Sequence, residues 1–383
     1  MPCGAQAQDK ALGPDFAADA RELERIVADN YAYLERFEGG QPPRSAALDA
    51  MRDGVDDRRK LLTYAEAVVL SLADHHAITG ASFKDSRALV PSYADLWIVR
   101  EAGGYRVDAV RSGSPAASAG IAQGDALVAV DGAEIEEAVS GLWREIGLQA
   151  DNAERRAFAA RVLAAGRRDR PRDLSFRGRD GRERRVTLPN LYAIDRPARP
   201  PVTVTPAAGG ARIAFNDSLG DDATIAAFDA AMATLAPRTA VELDLTDTPS
   251  GGNTTVARAI MGWFVSRPSA YQTHSYPAEE RRTGIPRQWT EYVLARPGKH
   301  HRGPVTVRVG RWTGSMGEGL ALGFDAIGGR VVGGRMAGLL GAIYDFPLPA
   351  SGLVVKLPAE RLMHVDGTPR EAFRPLAAGG AGG

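Results

Sequence analysis

The sequence of 383 residues has a single cysteine, Cys3, which excludes an internal disulfide and a metal site built from several cysteines. Lysine is scarce as well, at five positions, so arginine carries nearly all of the positive charge and few lysines are available as a catalytic base. No apolar run approaches the roughly 20 residues of a membrane-spanning helix. The longest, residues 67–73, has Glu66 beside it.

An excess of charge of either sign is also absent. The 47 basic and 47 acidic residues give a net charge of zero, so no basic field favours a nucleic acid or an anionic membrane surface as a partner. The apolar and charged fractions, 44% and 25%, are ordinary for a globular protein. The length allows two or three domains.

The first residues resemble the end of an export signal. Ala5, Gln6 and Ala7 fit a small-x-small cleavage site, although no apolar segment precedes them. We therefore expect residues 1–14 to be a signal remnant or disordered, and the protein to be periplasmic or secreted. A chance match is the alternative, and a lipid anchor at Cys3 is the weaker of the expectations for this segment.

The remaining chain divides by its periodicity. Apolar residues recur every three or four positions between residues 15 and 77, which predicts an N-terminal helical domain over 15–91. Residues 92–192 predict a β-rich module with a helical insertion around 139–166. From 193 to 383 strands alternate with helices, which predicts a βαβ sheet with its chemistry at the strand ends, while the polar stretch 268–303 is expected to be irregular.

Ser315 lies in a Gly-flanked turn between an apolar strand, residues 305–309, and a helical pattern. A hydroxyl at that place is exposed, and the free N–H groups of the first helical turn lie beside whatever it attacks. A serine nucleophile needs such preorganised donors for the developing oxyanion. The alternative is a helix N-cap in which Glu318 completes a capping box.

Residues 114–132 read SPAASAGIAQGDALVAVDG, which resembles the PDZ domains associated with bacterial proteases. Such domains bind an extended peptide at a sheet edge, and the amides of a loop hold its terminal carboxylate. The resemblance makes that loop, and the substrate-binding residues, Ala94, Asp95, Leu96 and Trp97. The loop lacks the usual glycines, so a PDZ module with a purely structural role stays open as an alternative.

Four segments together resemble the carboxyl-terminal processing, or tail-specific, proteases and their relatives, the tricorn core and the retinoid-binding repeats. They are the PDZ-like segment, residues 241–252 (similar to DLRxNxGG), residues 315–318 (matching SxxE) and residues 366–371 (similar to DGxxxE). The resemblance implies a multidomain α/β fold, with an N-terminal helical segment, a PDZ-like β module and an α/β core of the ClpP/crotonase type. It also implies a serine endopeptidase that cleaves unfolded proteins or C-terminal tails through an acyl-enzyme.

The resemblance makes the Ser315 hydroxyl the nucleophile, and its histidine-based, tricorn-like branch supplies the base. The lysine of the Ser/Lys branch corresponds to Leu340, whereas residues 74–76 resemble the DxH of the histidine branch. His76 is thereby implied as the base and Glu371 as the carboxylate that orients it, with His75 as the alternative base. A neutral imidazole can take a proton at neutral pH, although a histidine that merely ends a helix is the plainer interpretation.

The oxyanion hole is expected from backbone N–H groups of Met316 and of Gly251 or Gly252, since glycine lets the backbone approach the substrate closely. Neither a metal nor a cofactor is expected, because the remaining histidines, at 274, 300, 301 and 364, show no ligand spacing. The expected partner is a protein or peptide substrate, and the oligomeric state stays open. Two other functions remain: a degenerate relative that binds an apolar ligand or a peptide, and an adaptor in which only the PDZ module acts.

Overall fold

The computed structural model describes residues 14–195, 197–207 and 209–377. The predicted signal remnant, apart from Pro14, and the predicted lipid anchor at Cys3 lie outside these residues. Within them, no helix combines the length and the apolar character needed to cross a membrane.

The helices of the described residues begin where the sequence supplies capping side chains. The Asp57 carboxylate, for example, accepts a hydrogen bond of 2.7 Å from the N–H of Lys60 at the start of the third helix. The α-helices are α1 (Phe16–Asn30), α2 (Ala46–Asp53), α3 (Arg58–Ser71), α4 (Pro115–Ser118), α5 (Ile135–Arg144), α6 (Ala153–Ala165), α7 (Ala223–Ala233), α8 (Thr254–Met261), α9 (Pro277–Thr283) and α10 (Met316–Ala326).

The strands form three sheets. They are β1 (Ile78–Thr79), β2 (Leu96–Glu101), β3 (Gly104–Val110), β4 (Ala126–Val130), β5 (Ala133–Glu134), β6 (Arg172–Arg177), β7 (Glu183–Leu188), β8 (Val202–Ala207), β9 (Gly210–Phe215), β10 (Ala240–Asp244), β11 (Ser269–Ser275), β12 (Gln288–Val293), β13 (Val305–Val309), β14 (Arg330–Gly333), β15 (Ala342–Pro347) and β16 (Val354–Met363).

The first sheet has the order β14-β13-β10-β9-β8 and is parallel except for β8 at its edge. Its apolar residues share one buried core with α7, α8 and α10. Because β10 and β13 are parallel neighbours, the loops that follow them leave the same edge of the sheet. A bridge between Thr248 and Thr313 joins these two loops.

The second sheet has the order β1-β16-β11-β12, and β15 also pairs with β16. The expectation that residues 268–303 are irregular is wrong, because they contain β11, α9 and β12. A loop was predicted there because the residues of β11 are mostly polar. Gln272, Thr273 and His274 are buried. Thr273 Oγ1 lies 3.3 Å from Thr290 Oγ1 of β12 and His274 Nδ1 lies 2.7 Å from a Glu360 carboxylate oxygen of β16, whereas the Oε1 of Gln272 has no hydrogen-bond partner among the described residues.

Leu48, the buried residue of α2, belongs to the core of the third sheet, described below, whereas α1 and α3 pack largely on this second sheet. Their apolar faces form one buried cluster with residues that include Leu348, Val355 and Leu357. Strand β1, which follows α3, pairs with β16. The predicted boundary near residue 91 therefore does not delimit an independent helical domain, and the turn between α3 and β1 lies against the α/β core.

The third sheet, of order β2-β3-β4-β6-β7 with β5 paired to β4, spans residues 96–188, which lie within the range 92–192 of the predicted β-rich module. Helices α5 and α6 form the predicted helical insertion. Helix α6 contacts β2, where the Arg161 guanidinium donates a hydrogen bond of 3.2 Å to the carbonyl of Ile98. The insertion thus covers part of the strand beside which a PDZ-like module would accept a peptide.

A buried histidine between two carboxylates stabilises the second sheet. His274 Nδ1 lies 2.7 Å from a Glu360 carboxylate oxygen, and its Nε2 lies 3.5 Å from Glu291. Burial lowers the pKa of His274, but hydrogen bonds to Glu291 and Glu360 and their charges outweigh it and raise the pKa from 6.5 to about 8. The imidazolium that these carboxylates favour therefore stabilises the folded state.

We expect the free energy of unfolding to fall as the pH rises through about 8. Since the pKa of His274 is higher in the folded chain than its ordinary 6.5, its contribution is complete below pH 6.5 and is lost above the folded value. The shift corresponds to about 2 kcal/mol. Urea denaturation at pH 6 and pH 9 measures it, with His274→Gln as the reference. An equal pH dependence in wild type and variant contradicts this role of His274.

Candidate active site

Ser315 stands at the junction of β13 and α10 in a conformation that few residues other than glycine adopt. Its φ and ψ are 49° and −114°, outside the main allowed regions for an L-residue. Such strain persists only where the surrounding structure enforces it, and it is typical of active-site turns. The conformation brings the hydroxyl beside the turn that follows α3.

His76 lies on that turn, and its imidazole contacts the Ser315 side chain. Its Nε2 lies 3.0 Å from the Ser315 Oγ, and its Nδ1 lies 2.6 Å from the carbonyl oxygen of Leu340. Because a carbonyl only accepts hydrogen bonds, Nδ1 carries the proton and Nε2 presents its lone pair to the hydroxyl. Burial and the positive charge of Arg370 lower the pKa of His76 to about 4, so the ring is neutral at neutral pH.

Asp74 holds the turn on which His76 lies. One of its carboxylate oxygens accepts 2.8 Å from the N–H of His76, and the other accepts 2.8 Å from the hydroxyl of Tyr31. Burial raises the pKa of Asp74 to about 6, against the opposing charge of Arg36 and these hydrogen bonds. Ala73, directly before it, has a φ of 49°, which indicates that the turn is sharp and constrained.

His75, the alternative base, points away from Ser315. Its Nε2 accepts a hydrogen bond of 2.8 Å from Arg161, and its ring stacks on Phe158 at 4.4 Å between centroids. Burial and the neighbouring arginine charges hold the pKa of His75 well below its usual range. Of the two adjacent histidines, the structure therefore places His76 at the candidate nucleophile.

The structure does not place Glu371 in its expected position. No described residue accepts or donates a hydrogen bond at its Oε2, and His76 Nδ1 is already paired with the Leu340 carbonyl. The Leu340 carbonyl instead accepts the hydrogen bond from His76 Nδ1 that was expected to go to Glu371. A carbonyl was not foreseeable as the orienting group, because every residue has one and only the folded loop aims it at an imidazole.

Arg370 is a functional residue that the sequence did not single out. Its guanidinium is buried and donates to the carbonyls of Leu339 and Gly341 at 2.8 and 2.7 Å, on either side of Leu340. These bonds fix the loop that presents the Leu340 carbonyl to His76. The only signal in the sequence is its place directly before Glu371 in the DGxxxE-like segment.

Glu318 links the nucleophile turn to the same loop. The carboxylate is fully buried and accepts from the N–H groups of Ser315, Gly338 and Leu339 at 3.0, 2.8 and 3.1 Å. Burial raises its pKa to about 7, opposed by the charge of Arg370 and by these backbone donors. Glu318 therefore positions the backbone around the hydroxyl and the imidazole, in agreement with the capping role expected from the sequence.

Two of the three predicted oxyanion donors have a free N–H. No described residue accepts a hydrogen bond from the N–H of Met316 or Gly252, whereas that of Gly251 donates 3.2 Å to the Thr248 carbonyl. Gly251 instead leaves the space that Ser315 and Met316 occupy. A Cβ on it would lie 2.5 Å from the Cβ of Ser315 and 3.1 Å from the Met316 nitrogen. Close approach of the two backbones therefore requires glycine at position 251.

The structure gives no support to the expectation that Ala94, Asp95, Leu96 and Trp97 bind a substrate carboxylate. All four are buried. The Asp95 carboxylate pairs with the equally buried Arg172 at 2.6 Å and also accepts 3.1 Å from the N–H of Ala116 in α4. A carboxylate placed there would meet a buried negative charge, which is costly.

This loop instead joins the β-rich module to the candidate nucleophile. The carbonyl of Ala94 accepts 2.7 Å from the indole of Trp312, three residues before Ser315. Arg311 pairs with Asp108 of β3 at 2.6 Å, and Arg111 of the module pairs with Asp247, after β10, at 2.6 Å. The module therefore contacts both loops that carry the candidate site.

The described residues contain no cluster of three or more histidine, cysteine or carboxylate groups that could hold a metal ion. The candidate site brings together the Ser315 hydroxyl, the neutral His76 imidazole and free backbone N–H groups. Such an arrangement can perform nucleophilic substitution at a carbonyl carbon.

Comparison with known proteins finds the fold but no family by sequence. No family model and no curated protein sequence matches the chain. Among solved structures, it is similar to the photosystem II D1 C-terminal processing protease, with 16% identity, a TM-score of 0.55 and coverage of 95% of this chain and 93% of that one. Mature CPAF gives 16% identity and a TM-score of 0.57, covering 95% of this chain and 92% of the other.

A lipoprotein from Streptococcus agalactiae is also similar, with 9% identity, a TM-score of 0.50 and coverage of 97% and 95%. The chain therefore has the α/β fold of the C-terminal processing proteases over almost its whole length. Because identities are this low, the likeness concerns the fold, and function must be argued from the site.

Proposed function

We propose that this protein is a serine endopeptidase of the histidine-based type, with Ser315 as nucleophile and His76 as general base. The observation that carries the proposal is the continuous chain of contacts from the Ser315 Oγ through the imidazole to the Leu340 carbonyl. A nucleophile beside a base, itself oriented by a third group, is the general form of a serine-hydrolase site.

In this mechanism the Ser315 hydroxyl attacks the scissile carbonyl carbon and its proton passes to Nε2 of His76. The oxyanion receives a hydrogen bond from the Met316 N–H, with the Gly252 N–H as a second donor. The imidazolium then protonates the leaving amine as the C–N bond breaks, which leaves an acyl-enzyme. Water, deprotonated by the same ring, hydrolyses the ester and restores the hydroxyl.

The proposed substrates are unfolded proteins or C-terminal tails in an extended conformation. The fold shared with C-terminal processing proteases supports this substrate class. The PDZ-like module supports it less directly, because its expected carboxylate loop is buried and holds Trp312 instead. We propose that the module positions the nucleophile loop, and that the protein works in the periplasm or outside the cell, as residues 5–7 indicate.

Labelling with a fluorophosphonate and turnover of casein test the proposal together. Wild-type protein should be labelled at Ser315 and should degrade casein, and Ser315→Ala should do neither while keeping the thermal transition of the wild type. Absence of both labelling and turnover in a folded wild-type protein favours the degenerate, ligand-binding alternative. Turnover that persists in Ser315→Ala contradicts the assigned nucleophile.

Replacing Glu371 with glutamine tests which group orients the base. Since His76 Nδ1 pairs with a carbonyl and not with Glu371, we expect kcat/KM to change by less than about tenfold, whereas loss of a triad carboxylate lowers kcat about 10⁴-fold. Steady-state hydrolysis of a peptide substrate measures this. A loss of about 10³-fold or more identifies Glu371 as the orienting residue in the working enzyme.

A further inference from the structure

A cavity of about 360 Å³ lies between α3 and α6, on the far side of the turn that carries His76. The proposed peptidase mechanism uses no residue that faces it except Asp74. Its floor is apolar and includes Ala67 and Leu70 of α3 and Phe158 and Val162 of α6. Its volume is at the lower end of the 300–1,000 Å³ typical of ligand sites, which favours a small molecule over a polypeptide segment.

Arginines surround this apolar floor. Arg59, Arg87, Arg167 and Arg168 all line the cavity, together with the carboxylates of Glu66, Asp74, Asp85 and Glu145. The charges do not cancel pairwise. Arg87 pairs with Glu145 at 3.1 Å, but no described carboxylate lies within ion-pair distance of Arg59, Arg167 or Arg168.

Two of these arginines offer donors to a ligand. Arg168 Nε is buried and no described residue accepts its hydrogen bond, while the Arg168 guanidinium stacks on Tyr192 at 4.6 Å. Arg167 makes its hydrogen bond to a neutral acceptor, the carbonyl of Asp85, at 2.8 Å. Burial raises the pKa of Glu66, which faces the same space, against the hydrogen bond from Ser86 and the charge of Arg168. The guanidinium groups of Arg167 and Arg168 therefore lie beside an apolar floor without an ion-pair partner among the described residues.

We propose that this cavity binds a small amphipathic carboxylate, such as a short aliphatic acid. Its apolar body would lie against α3 and α6, and its carboxylate would meet Arg167 and Arg168, whose planar guanidinium groups suit carboxylate geometry. A neutral molecule of the same shape would leave these donors without an ionic partner. The proposal is independent of whether Ser315 is catalytic.

The site is connected to the candidate active site through its wall. Asp74 and His75 line the cavity, and the Asp74 carboxylate holds the N–H of His76. A ligand that contacts this turn more favourably in one arrangement of His76 than in another shifts the population of that arrangement. Occupancy of the cavity is thereby linked to the geometry of the base.

Binding of octanoate and 1-octanol, measured by calorimetry on Ser315→Ala protein, tests the inference without relying on turnover. We expect octanoate to bind at least tenfold more tightly than 1-octanol. Arg168→Gln, and separately Arg167→Gln, should weaken octanoate at least fivefold and leave 1-octanol unchanged. Thr63→Trp, at an exposed position on α3 that lines the cavity, should abolish binding of both.

Arg182→Gln is the matched control, because Arg182 is an exposed arginine of the same module whose nearest carboxylate is Asp180. It should bind octanoate as the parent does. The inference is overturned if octanoate does not bind the folded parent protein, if octanoate and 1-octanol bind equally, or if both arginine variants keep the parent affinity. If octanoate still binds the Thr63→Trp protein, the ligand lies outside this cavity and the inference is overturned as well.

Discussion

Replacing His76 with alanine should lower kcat/KM for peptide hydrolysis by roughly 10⁴- to 10⁶-fold, the range found when a serine hydrolase loses its base. The imidazole is the only titratable group within hydrogen-bond distance of the Ser315 Oγ among the described residues. Without it, the hydroxyl must attack as a neutral alcohol and the leaving amine has no proton donor. Steady-state kinetics on a fluorogenic peptide, with thermal unfolding as the check on folding, measures the loss.

His75→Gln is the control for this experiment, since it changes the adjacent histidine. His75 contacts Arg161 and Phe158 and not the hydroxyl, so the variant should retain kcat/KM within about tenfold and show its main effect on stability. The reverse pattern, with activity kept in His76→Ala and lost in His75→Gln, contradicts the assigned base. Leu340→Lys should not restore His76→Ala, because the Leu340 side chain packs on the apolar helical cluster.

The pairing of Ser315 with His76 was accessible from the sequence only through the resemblance to the histidine-based branch, which gave meaning to two short motifs. The first is a glycine-flanked serine before a helix, and the second is a histidine run at a helix end. The structure places the two side chains 3.0 Å apart across 239 positions of the chain. The alternation of strands and helices predicted a parallel sheet, although not which strands are neighbours. Because β10 and β13 are parallel neighbours, residues 251 and 315 lie at the same edge of that sheet.

The contacts that could not be predicted from the sequence are those whose partners have no recognisable local pattern. The Leu340 carbonyl is a backbone group, and its direction depends on Arg370, 30 residues further along the chain. The burial of Asp95 depends on Arg172, which no pattern around residue 95 reveals. Strand β11 was not predicted for a similar reason. Its buried His274 is stabilised by carboxylates on other strands, which the local sequence does not indicate.

Replacing Gly251 with alanine should lower kcat/KM by about 10²- to 10³-fold, comparable to the loss of one oxyanion donor. The new Cβ would meet the Ser315 Cβ at 2.5 Å, the Oγ at 3.0 Å and the Met316 nitrogen at 3.1 Å, so the nucleophile turn has to move away from β10. The movement displaces the hydroxyl from His76 Nε2 and the Met316 N–H from the oxyanion. Kinetics on the same peptide and urea denaturation separate this displacement from a general loss of stability.

Gly181→Ala provides the reference for the backbone cost that Gly251→Ala also carries. Both glycines are left-handed, with φ of 79° at Gly181 and 68° at Gly251, but a Cβ at Gly181 would meet no atom within 4 Å. The left-handed conformation should therefore destabilise each variant by about 1–2 kcal/mol, and only Gly251→Ala should lose activity. Equal kcat/KM in the two variants would mean that the strand-end backbone at residue 251 tolerates a side chain, and that the close approach to Ser315 is not needed for the reaction.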